Sequence, residues 1–311
     1  MEVLLAVVLP VFGVLATGYA ATFSRVFDAE AGDALARFVY YFALPALLFH
    51  SIATKELPSE IDLGYFAAYY GGVGLTFAAT IPLFRLMGFA DLEFCILAAF
   101  GTIYGNTVLI GIPVILAALG EEAGLPLFLL ISFHGAIFFT LVTVLVEGVV
   151  RGKGDWAAVP GRVARSLIVN PILASLMAGL AVNLSGLEMP SSVDEWADLL
   201  SDAALPCALF SLGASLRRYR IAGTLRLCAV MVFIKLVAMP IVVWLLANLV
   251  FDVEPLWAKV AVVAAAMPSG VNGYLFAVRY GKSEAEIASA VIISTALSVL
   301  TLGLLLMLLD A

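Results

Sequence analysis

Residues 101–113 read GTIYGNTVLIGIP and place glycine, asparagine and proline in the middle of the apolar run 91–119. A second apolar run, 255–280, contains AMPSGVNGY at residues 266–274. Proline removes a backbone donor, glycine tolerates an unwound backbone, and asparagine can satisfy the groups that unwinding frees. We therefore expect both helices to be broken near the middle of a membrane, with a pair of ordinary kinks as the alternative.

The composition excludes a water-soluble domain. Of the 311 residues, 63% are hydrophobic and 13% are charged, and the mean hydropathy is +1.10. Soluble domains are typically about 45–50% apolar and about 25% charged. Apolar runs long enough to cross roughly 30 Å of hydrocarbon recur along the whole chain. We predict an all-α polytopic membrane protein with ten transmembrane helices, at residues 2–21, 30–53, 61–86, 91–119, 123–150, 162–185, 192–216, 221–250, 255–280 and 284–309.

The basic residues divide the predicted loops into two classes. Thirteen of the 16 lysines and arginines fall on one side of the predicted spans, namely Arg25, Arg37, Arg85, Arg151, Lys153, Arg162, Arg165, Arg217, Arg218, Arg220, Arg226, Arg279 and Lys282. The other side holds only Lys55 and Lys259, and Lys235 lies inside a span. By the positive-inside rule we expect a multi-pass protein of the cell (inner) membrane with both termini outside the cytoplasm.

The two halves of the chain resemble each other at an offset of 161 residues. The matches are Val8, Pro10, Leu15, Gly18 and Ala20 with Val169, Pro171, Leu176, Gly179 and Ala181, and Ala43-Leu44-Pro45 and Leu48-Phe49 with Ala204-Leu205-Pro206 and Leu209-Phe210. Five predicted spans separate the copies, so the second copy enters the membrane from the opposite side. We therefore predict a 5+5 inverted repeat with halves 1–155 and 156–311, in which helices 4 and 9 are the broken pair. Two such halves can exchange conformations, as a transporter requires.

The broken helices indicate a binding site for an anion. The second half of each would start near the midplane and present free N–H groups with positive partial charge. Two such ends that face one cavity favour an anion, whereas the carbonyl ends of the first halves could hold a cation, so Na⁺ is not excluded. We expect the substrate site to include Gly105, Asn106, Thr107, Pro113, Pro268, Ser269, Gly270 and Asn272.

Three ionisable residues inside the predicted spans are further candidates, because charge in a membrane is costly and by default functional. Lys235 either attracts the anion or pairs with a carboxylate such as Asp202. For Asp202 we expect a structural, gating or charge-coupling role. His134 is either a packing residue or a substrate contact or proton site. The three cysteines show no metal-ligand spacing, so we expect no metal site.

Several of these motifs resemble the auxin efflux carrier family, which includes plant auxin carriers and bacterial permeases for malate or malonate. Asn106-Thr107 with Gly111-Ile112-Pro113 is similar to the family's N-T-x-x-x-G-I-P crossover. The other similar motifs are Leu167-Ile168 with Asn170-Pro171 and Gly179-Leu180, Leu187-Glu188-Met189-Pro190, Leu200-Ser201-Asp202-Ala203, Phe210-Ser211-Leu212-Gly213, and Pro268-x-Gly270-Val271 with Phe276-Ala277 and Tyr280. The resemblance extends over most of both halves.

The resemblance implies a scaffold made of helices 1, 2, 6 and 7 and a mobile unit made of helices 3–5 and 8–10. It also implies an elevator-type movement and a homodimer formed through the scaffold. It places Asn106, Asn170 and His134 near the substrate, and Lys235 where the family often has a basic residue five positions before a proline. His134 and Phe139 stand where the plant carriers show glutamine and tyrosine.

The sequence therefore predicts a secondary transporter of a small carboxylate, auxin-like or a dicarboxylate, with Phe139, Val108 or Leu109 packing on the body of the substrate. We expect no cofactor, no nucleic acid and no enzymatic activity; coupling to Na⁺ or H⁺ stays open. A sodium-coupled symporter of the bile-acid type is the nearest alternative. An anion channel is the alternative from another class, although an inverted repeat suits alternating access better.

Overall fold

A computed structural model describes residues 8–24, 27–54, 62–150, 152, 159–186 and 189–309, and the regular secondary structure of these ranges is helical. The helices are α1 (Leu9–Ala21), α2 (Glu30–Thr54), α3 (Leu63–Leu86), α4 (Leu92–Ile103), α5 (Thr107–Leu119), α6 (Glu121–Gly148), α7 (Val159–Ile168), α8 (Pro171–Ser185), α9 (Ser191–Leu216), α10 (Leu225–Val250), α11 (Pro255–Ala266), α12 (Val271–Tyr280) and α13 (Glu284–Leu308).

Six of these helices are long and apolar enough to cross a membrane, namely α2, α3, α6, α9, α10 and α13. Five shorter apolar helices, α1, α4, α5, α8 and α11, accompany them. The prediction of an all-α, multi-pass membrane protein is therefore confirmed.

Some sequence predictions fall on residues that the structure does not describe. They are the first residues of the predicted helix 2–21, residue 61, the last two residues of the chain, the boundary between residues 155 and 156, Leu187-Glu188, and the basic residues Arg25, Lys55, Arg151 and Lys153.

The prediction of one continuous helix over residues 162–185 was wrong. The structure has two helices there, α7 and α8, with Val169 and Asn170 between them. Proline disfavours helical geometry in the residue before it, and Asn170 is accordingly extended, with ψ 113°. The Asn170 side chain also accepts a hydrogen bond from the N–H of Ile172 at 3.0 Å, which caps the start of α8.

Side-chain carboxylates begin several other helices in the same manner. Asp28 accepts a bond from the N–H of Ala31, Asp62 from Gly64, and Asp91 from Glu93 and Phe94. Each satisfies backbone donors that the first helical turn leaves without an intrahelical partner. These caps lie in the connections between long apolar segments and set where the segments start.

Helices α1, α2, α8 and α9 pack together as one group. Glycines allow close backbone approach there: a Cβ atom on Gly18 of α1 would overlap the Phe210 carbonyl of α9. Likewise, a Cβ atom on Gly179 of α8 would lie 2.7 Å from the Phe49 carbonyl oxygen of α2. The remaining apolar helices, α3–α6 and α10–α13, pack mainly on one another.

Candidate functional site

The glycine, asparagine and proline motif at residues 101–113 interrupts a helix. Helix α4 ends at Ile103, Tyr104 is extended with ψ 104°, and Asn106 has φ −82° and ψ 57°. The helical path resumes at Thr107 as α5. The side chain of Asn106 accepts a hydrogen bond from the N–H of Leu109 at 3.2 Å and so caps the new helix.

The corresponding motif at residues 266–274 interrupts another helix. Helix α11 ends at Ala266, Met267 has ψ 144°, Gly270 has ψ 149°, and α12 begins at Val271. The N–H of Ser269 donates to the Ser294 hydroxyl at 3.0 Å. This bond ties the unwound segment to α13, which passes beside it.

The two interruptions meet and bond to each other. The N–H of Asn106 donates to the carbonyl of Pro268 at 2.8 Å, and the N–H of Gly270 donates to the carbonyl of Tyr104 at 2.7 Å. Gly105 and Ser269 thereby form an isolated antiparallel bridge. Each segment supplies partners that the other lost by leaving the helix, as buried backbone requires.

Glycine is needed where these segments cross. A Cβ atom on Gly270 would lie 3.0 Å from the carbonyl oxygen of Gly105, and one on Gly273 would lie 2.9 Å from the Cα of Gly101. Both neighbours are backbone atoms, which cannot rotate away. The glycines therefore set how closely α12 approaches α4.

A cavity of about 760 Å³ lies over the crossing. Its volume is within the range of about 300–1,000 Å³ that ligand pockets occupy. Eight residues predicted for the substrate site line it: Gly105, Asn106, Thr107, His134, Phe139, Asn170, Gly270 and Asn272. The predicted residues Pro113, Pro268, Ser269, Lys235 and Asp202 are not among its lining residues.

One face of α2 forms a wall of the cavity that the sequence did not predict. It consists of Asp33, Ala36, Arg37, Tyr40 and Tyr41, which are spaced as neighbours on one side of a helix. That spacing was a signal in the sequence. However, the resemblance assigned α2 to the scaffold, and spacing alone does not show which helix faces the crossing.

The asparagines present amide donors to the cavity. The Oδ1 atoms of Asn106 and Asn170 cap their own helices. In the described part of the chain, the Nδ2 groups of these two residues have no protein acceptor. The Nδ2 of Asn272 is 3.3 Å from the hydroxyl of Tyr104. Two amide groups are thus available to an acceptor such as a carboxylate.

His134 is buried in the wall of the cavity and has one nitrogen without a partner. Its side chain is 3% exposed, and its Nδ1 is 3.4 Å from the Tyr69 hydroxyl. No described group bonds its Nε2. The ring packs edge-on against Tyr104 and Phe138, with centroids 4.8 Å away in both cases. Because a buried polar atom without a partner is costly, this nitrogen is suited to a ligand.

Lys235 lies behind the crossing, not in the cavity wall. It is fully buried, and its Nζ donates to the carbonyl of Ala265 at 2.7 Å. A Cβ atom on Gly105 would be 3.0 Å from the same Nζ. Asp202, in contrast, is exposed on α9. In the described residues, no ion pair joins it to Lys235.

Comparison with known proteins agrees with a membrane carrier. The family described as "Membrane transport protein" matches residues 3–153 and again residues 156–306. The chain is 29% identical to the "Putative malonate transporter" of Rhizobium meliloti over 308 residues, which is 98% of this chain and 96% of that protein. It is 24% identical to an uncharacterized transporter of Methanocaldococcus jannaschii over 306 residues, 96% of each chain.

A plant relative matches a shorter region. Auxin efflux carrier component 3a of Oryza sativa is 34% identical over 134 residues, which is 41% of this chain and 22% of the carrier. These matches and the double match to the family agree with the resemblance found in the crossover motifs. The chain belongs to the membrane transport protein family, which includes the auxin efflux carriers.

Proposed function

We propose that the chain is a secondary transporter that moves a small organic anion, a carboxylate, across the membrane by elevator-type alternating access. The observation that carries the proposal is the crossing of two interrupted helices beside a cavity that His134 lines, a buried histidine whose Nε2 has no described partner. The malonate named for the Rhizobium relative supports a carboxylate.

The polarity of the crossing favours an anion. Thr107 and Val271, the first residues of α5 and α12, line the cavity. The opening turn of a helix carries N–H groups with no intrahelical acceptor and with positive partial charge. The amides of Asn106 and Asn170 add donors, and Phe139 offers an apolar surface to the rest of the substrate. A carboxylate would accept from several of these groups at once.

We propose ten membrane crossings in two inverted halves, with α4–α5 as the fourth and α11–α12 as the ninth. Reciprocal contacts support the repeat. Gly18 packs on Phe210 and Gly179 packs on Phe49, and both pairs are exchanged by the 161-residue offset. The family's separate matches to residues 3–153 and 156–306 support halves of 1–155 and 156–311.

We further propose that α1, α2, α8 and α9 form a static scaffold against which the other helices move. The cavity fits this division, because residues of both groups line it: Asn170 and one face of α2 from the proposed scaffold, and the crossing from the other helices. The proposed homodimer, formed through the scaffold, rests on the family resemblance alone. The proposed orientation, with both termini outside the cytoplasm, rests on the basic residues.

Sodium coupling is the main rival mechanism. The carbonyl groups that end α11 would be candidate ligands for Na⁺, but the carbonyl of Ala265 accepts a hydrogen bond from Lys235. We therefore propose transport that does not need Na⁺ and leave proton coupling to experiment. An enzymatic role is not proposed, because the family consists of transport proteins.

The test is uptake of radiolabelled malonate into liposomes that contain the purified protein. We expect saturable uptake that shows counterflow and persists when choline replaces Na⁺. Asn106→Ala should reduce uptake by about tenfold, because a charged acceptor loses a donor. Asn248→Ala is the matched control, since Asn248 is exposed on α10 outside the cavity.

Three results would contradict the proposal. Currents that rise linearly with voltage and show no counterflow would indicate a channel. Loss of uptake in choline would indicate a sodium symporter. Equal losses in the two asparagine variants would show that Asn106 has no special part in binding.

A further inference from the structure

Arg37 is the one cation among the residues that line the cavity in the described part of the chain. It is exposed and shares a face of α2 with Asp33, Tyr40 and Tyr41. Its positive charge therefore borders the same space as the crossing. The binding of a monocarboxylate at the crossing does not by itself require a second positive group.

The carboxylate that would normally neutralise Arg37 is engaged elsewhere. Asp33 is four residues earlier on the same helix, where opposite charges usually pair. Asp33, however, binds Arg218 at 2.8 Å, and this contact raises the pKa of the Arg218 guanidinium. Among the described residues, no carboxylate is paired with Arg37.

Arg37 lies about one turn before Tyr40 and Tyr41 on the cavity-lining face of α2. Side chains on a helix point towards its N-terminus, so Arg37 is directed from the level of Tyr41 towards the beginning of α2. The crossing and His134 line the same cavity. The lining of the cavity thus combines polar donors, aromatic rings and one guanidinium that, within the described ranges, has no paired carboxylate.

We propose that Arg37 binds a second carboxylate of the substrate, so that the transporter selects short dicarboxylates over monocarboxylates. This inference rests on the proposed function and names its substrate class. Arginine suits the role because its planar fork of donors binds a carboxylate through two parallel hydrogen bonds. Arg37 would be a specificity residue, and the crossing would bind the first carboxylate of either class.

Because Arg37 lies on α2, its effect on substrate affinity should differ between the two sides of the membrane. If α2 is static while the crossing moves, Arg37 can reach the substrate only when the site faces the side where α2 begins. The residue should therefore change affinity on that side of the membrane and leave affinity on the opposite side unchanged.

The test compares malonate with its monomethyl ester, which has one carboxylate fewer, by calorimetric binding to the purified protein at neutral pH. We expect the wild type to prefer malonate. Arg37→Gln should weaken malonate binding by about tenfold to a hundredfold, the range for a charge-assisted bond, and change binding of the ester by less than about threefold. Arg37→Lys should retain part of the preference. Thermal unfolding of both variants verifies that they are folded.

Arg85→Gln is the matched control, because Arg85 is exposed at the end of α3 and does not line the cavity. It should leave both affinities unchanged. Equal weakening of both ligands by Arg37→Gln, or an unchanged preference for malonate, would overturn the role of Arg37 while leaving the proposed transport intact. If the folded wild type binds neither compound, the proposed function fails together with this inference.

Discussion

Gly18 of α1 packs directly against the main chain of Phe210 of α9, so closely that a Cβ atom on Gly18 would overlap the Phe210 carbonyl. Gly13, on the same helix, has no atom within 4 Å of the corresponding position. The two glycines therefore form a matched pair. One is required by a helix contact and the other is not.

We predict that Gly18→Ala destabilises the protein by about 1–3 kcal/mol, the usual cost of overpacking a tight contact. Gly13→Ala should be neutral or stabilising by up to about 1 kcal/mol, because alanine favours a helix more than glycine does. Thermal unfolding of the detergent-solubilised variants measures both. Equal effects of the two substitutions would show that α1 and α9 are not in direct backbone contact at Gly18.

Lys235 gives a second prediction, in which stability and function change differently. Burying its ammonium costs several kcal/mol, whereas the Ala265 carbonyl that it bonds would cost about 1–3 kcal/mol if left without a partner. We therefore expect Lys235→Met to unfold at the same temperature as the wild type or higher.

Anion binding should nevertheless weaken in this variant. Lys235 lies behind the crossing, so removal of its positive charge should lower the affinity for a carboxylate bound there by about tenfold or more. Calorimetry with malonate measures the loss. Lys259→Met, which removes a charge near the start of the neighbouring helix α11, is the control and should have little effect. A variant that binds as well as the wild type would show that Lys235 is purely structural.

The contact between Tyr69 and His134 leads to a third prediction. His134→Ala removes the unpartnered Nε2 and should weaken malonate binding by about tenfold, the value of one hydrogen bond to a charged acceptor. Tyr69→Phe keeps the imidazole but removes the hydroxyl 3.4 Å from Nδ1, so the ring loses one restraint on its orientation. We expect a smaller loss, of about threefold.

Phe133→Ala serves as a control for both variants, because Phe133 lies on α6 next to His134 but is not among the residues that line the cavity. If this variant loses as much affinity as His134→Ala, the effect comes from disturbed packing of α6 and not from the imidazole.

The helical membrane fold could be predicted from the sequence because hydrophobicity and length determine it. The residues of the crossing could also be identified, because glycine, proline and asparagine in an apolar run have few other uses. Three features could not be predicted. The bond from Lys235 to Ala265, the partner of His134 and the position of Arg37 depend on how each helix is rotated about its axis, and nearly uniform apolar faces do not encode that rotation.

The break between α7 and α8 at Asn170 could not be predicted for a different reason. The proline that follows Asn170 was visible, but an Asn-Pro pair can either begin a helix or kink one, and the sequence did not decide between the two. The structure resolves the choice by using Asn170 as a cap.

The ion pair between Asp91 and Lys282 joins the loop before α4 to the loop before α13 and gives a prediction about pH. The hydrogen bond from Lys282 is the main cause that lowers the pKa of Asp91 below its ordinary value of 3.8. Because the folded-state pKa is depressed, the stabilisation is complete above the unfolded-state pKa and is lost as pH falls through the folded-state pKa. We therefore expect the contribution to be constant near neutrality and to disappear only below about pH 4.

The pair is partly exposed, so its contribution should be small, about 0–1 kcal/mol, and should decrease in high salt. Asp91 also caps α4 through the N–H groups of Glu93 and Phe94, which adds about 1 kcal/mol. Asp91→Asn should retain the cap and lose only the ion pair, whereas Asp91→Ala should lose both. Thermal unfolding of the two variants near neutral pH and at about pH 3 separates these contributions. If Asp91→Asn is as unstable as Asp91→Ala near neutrality, the ion pair and not the cap holds this loop, and the assigned order of the two effects is wrong.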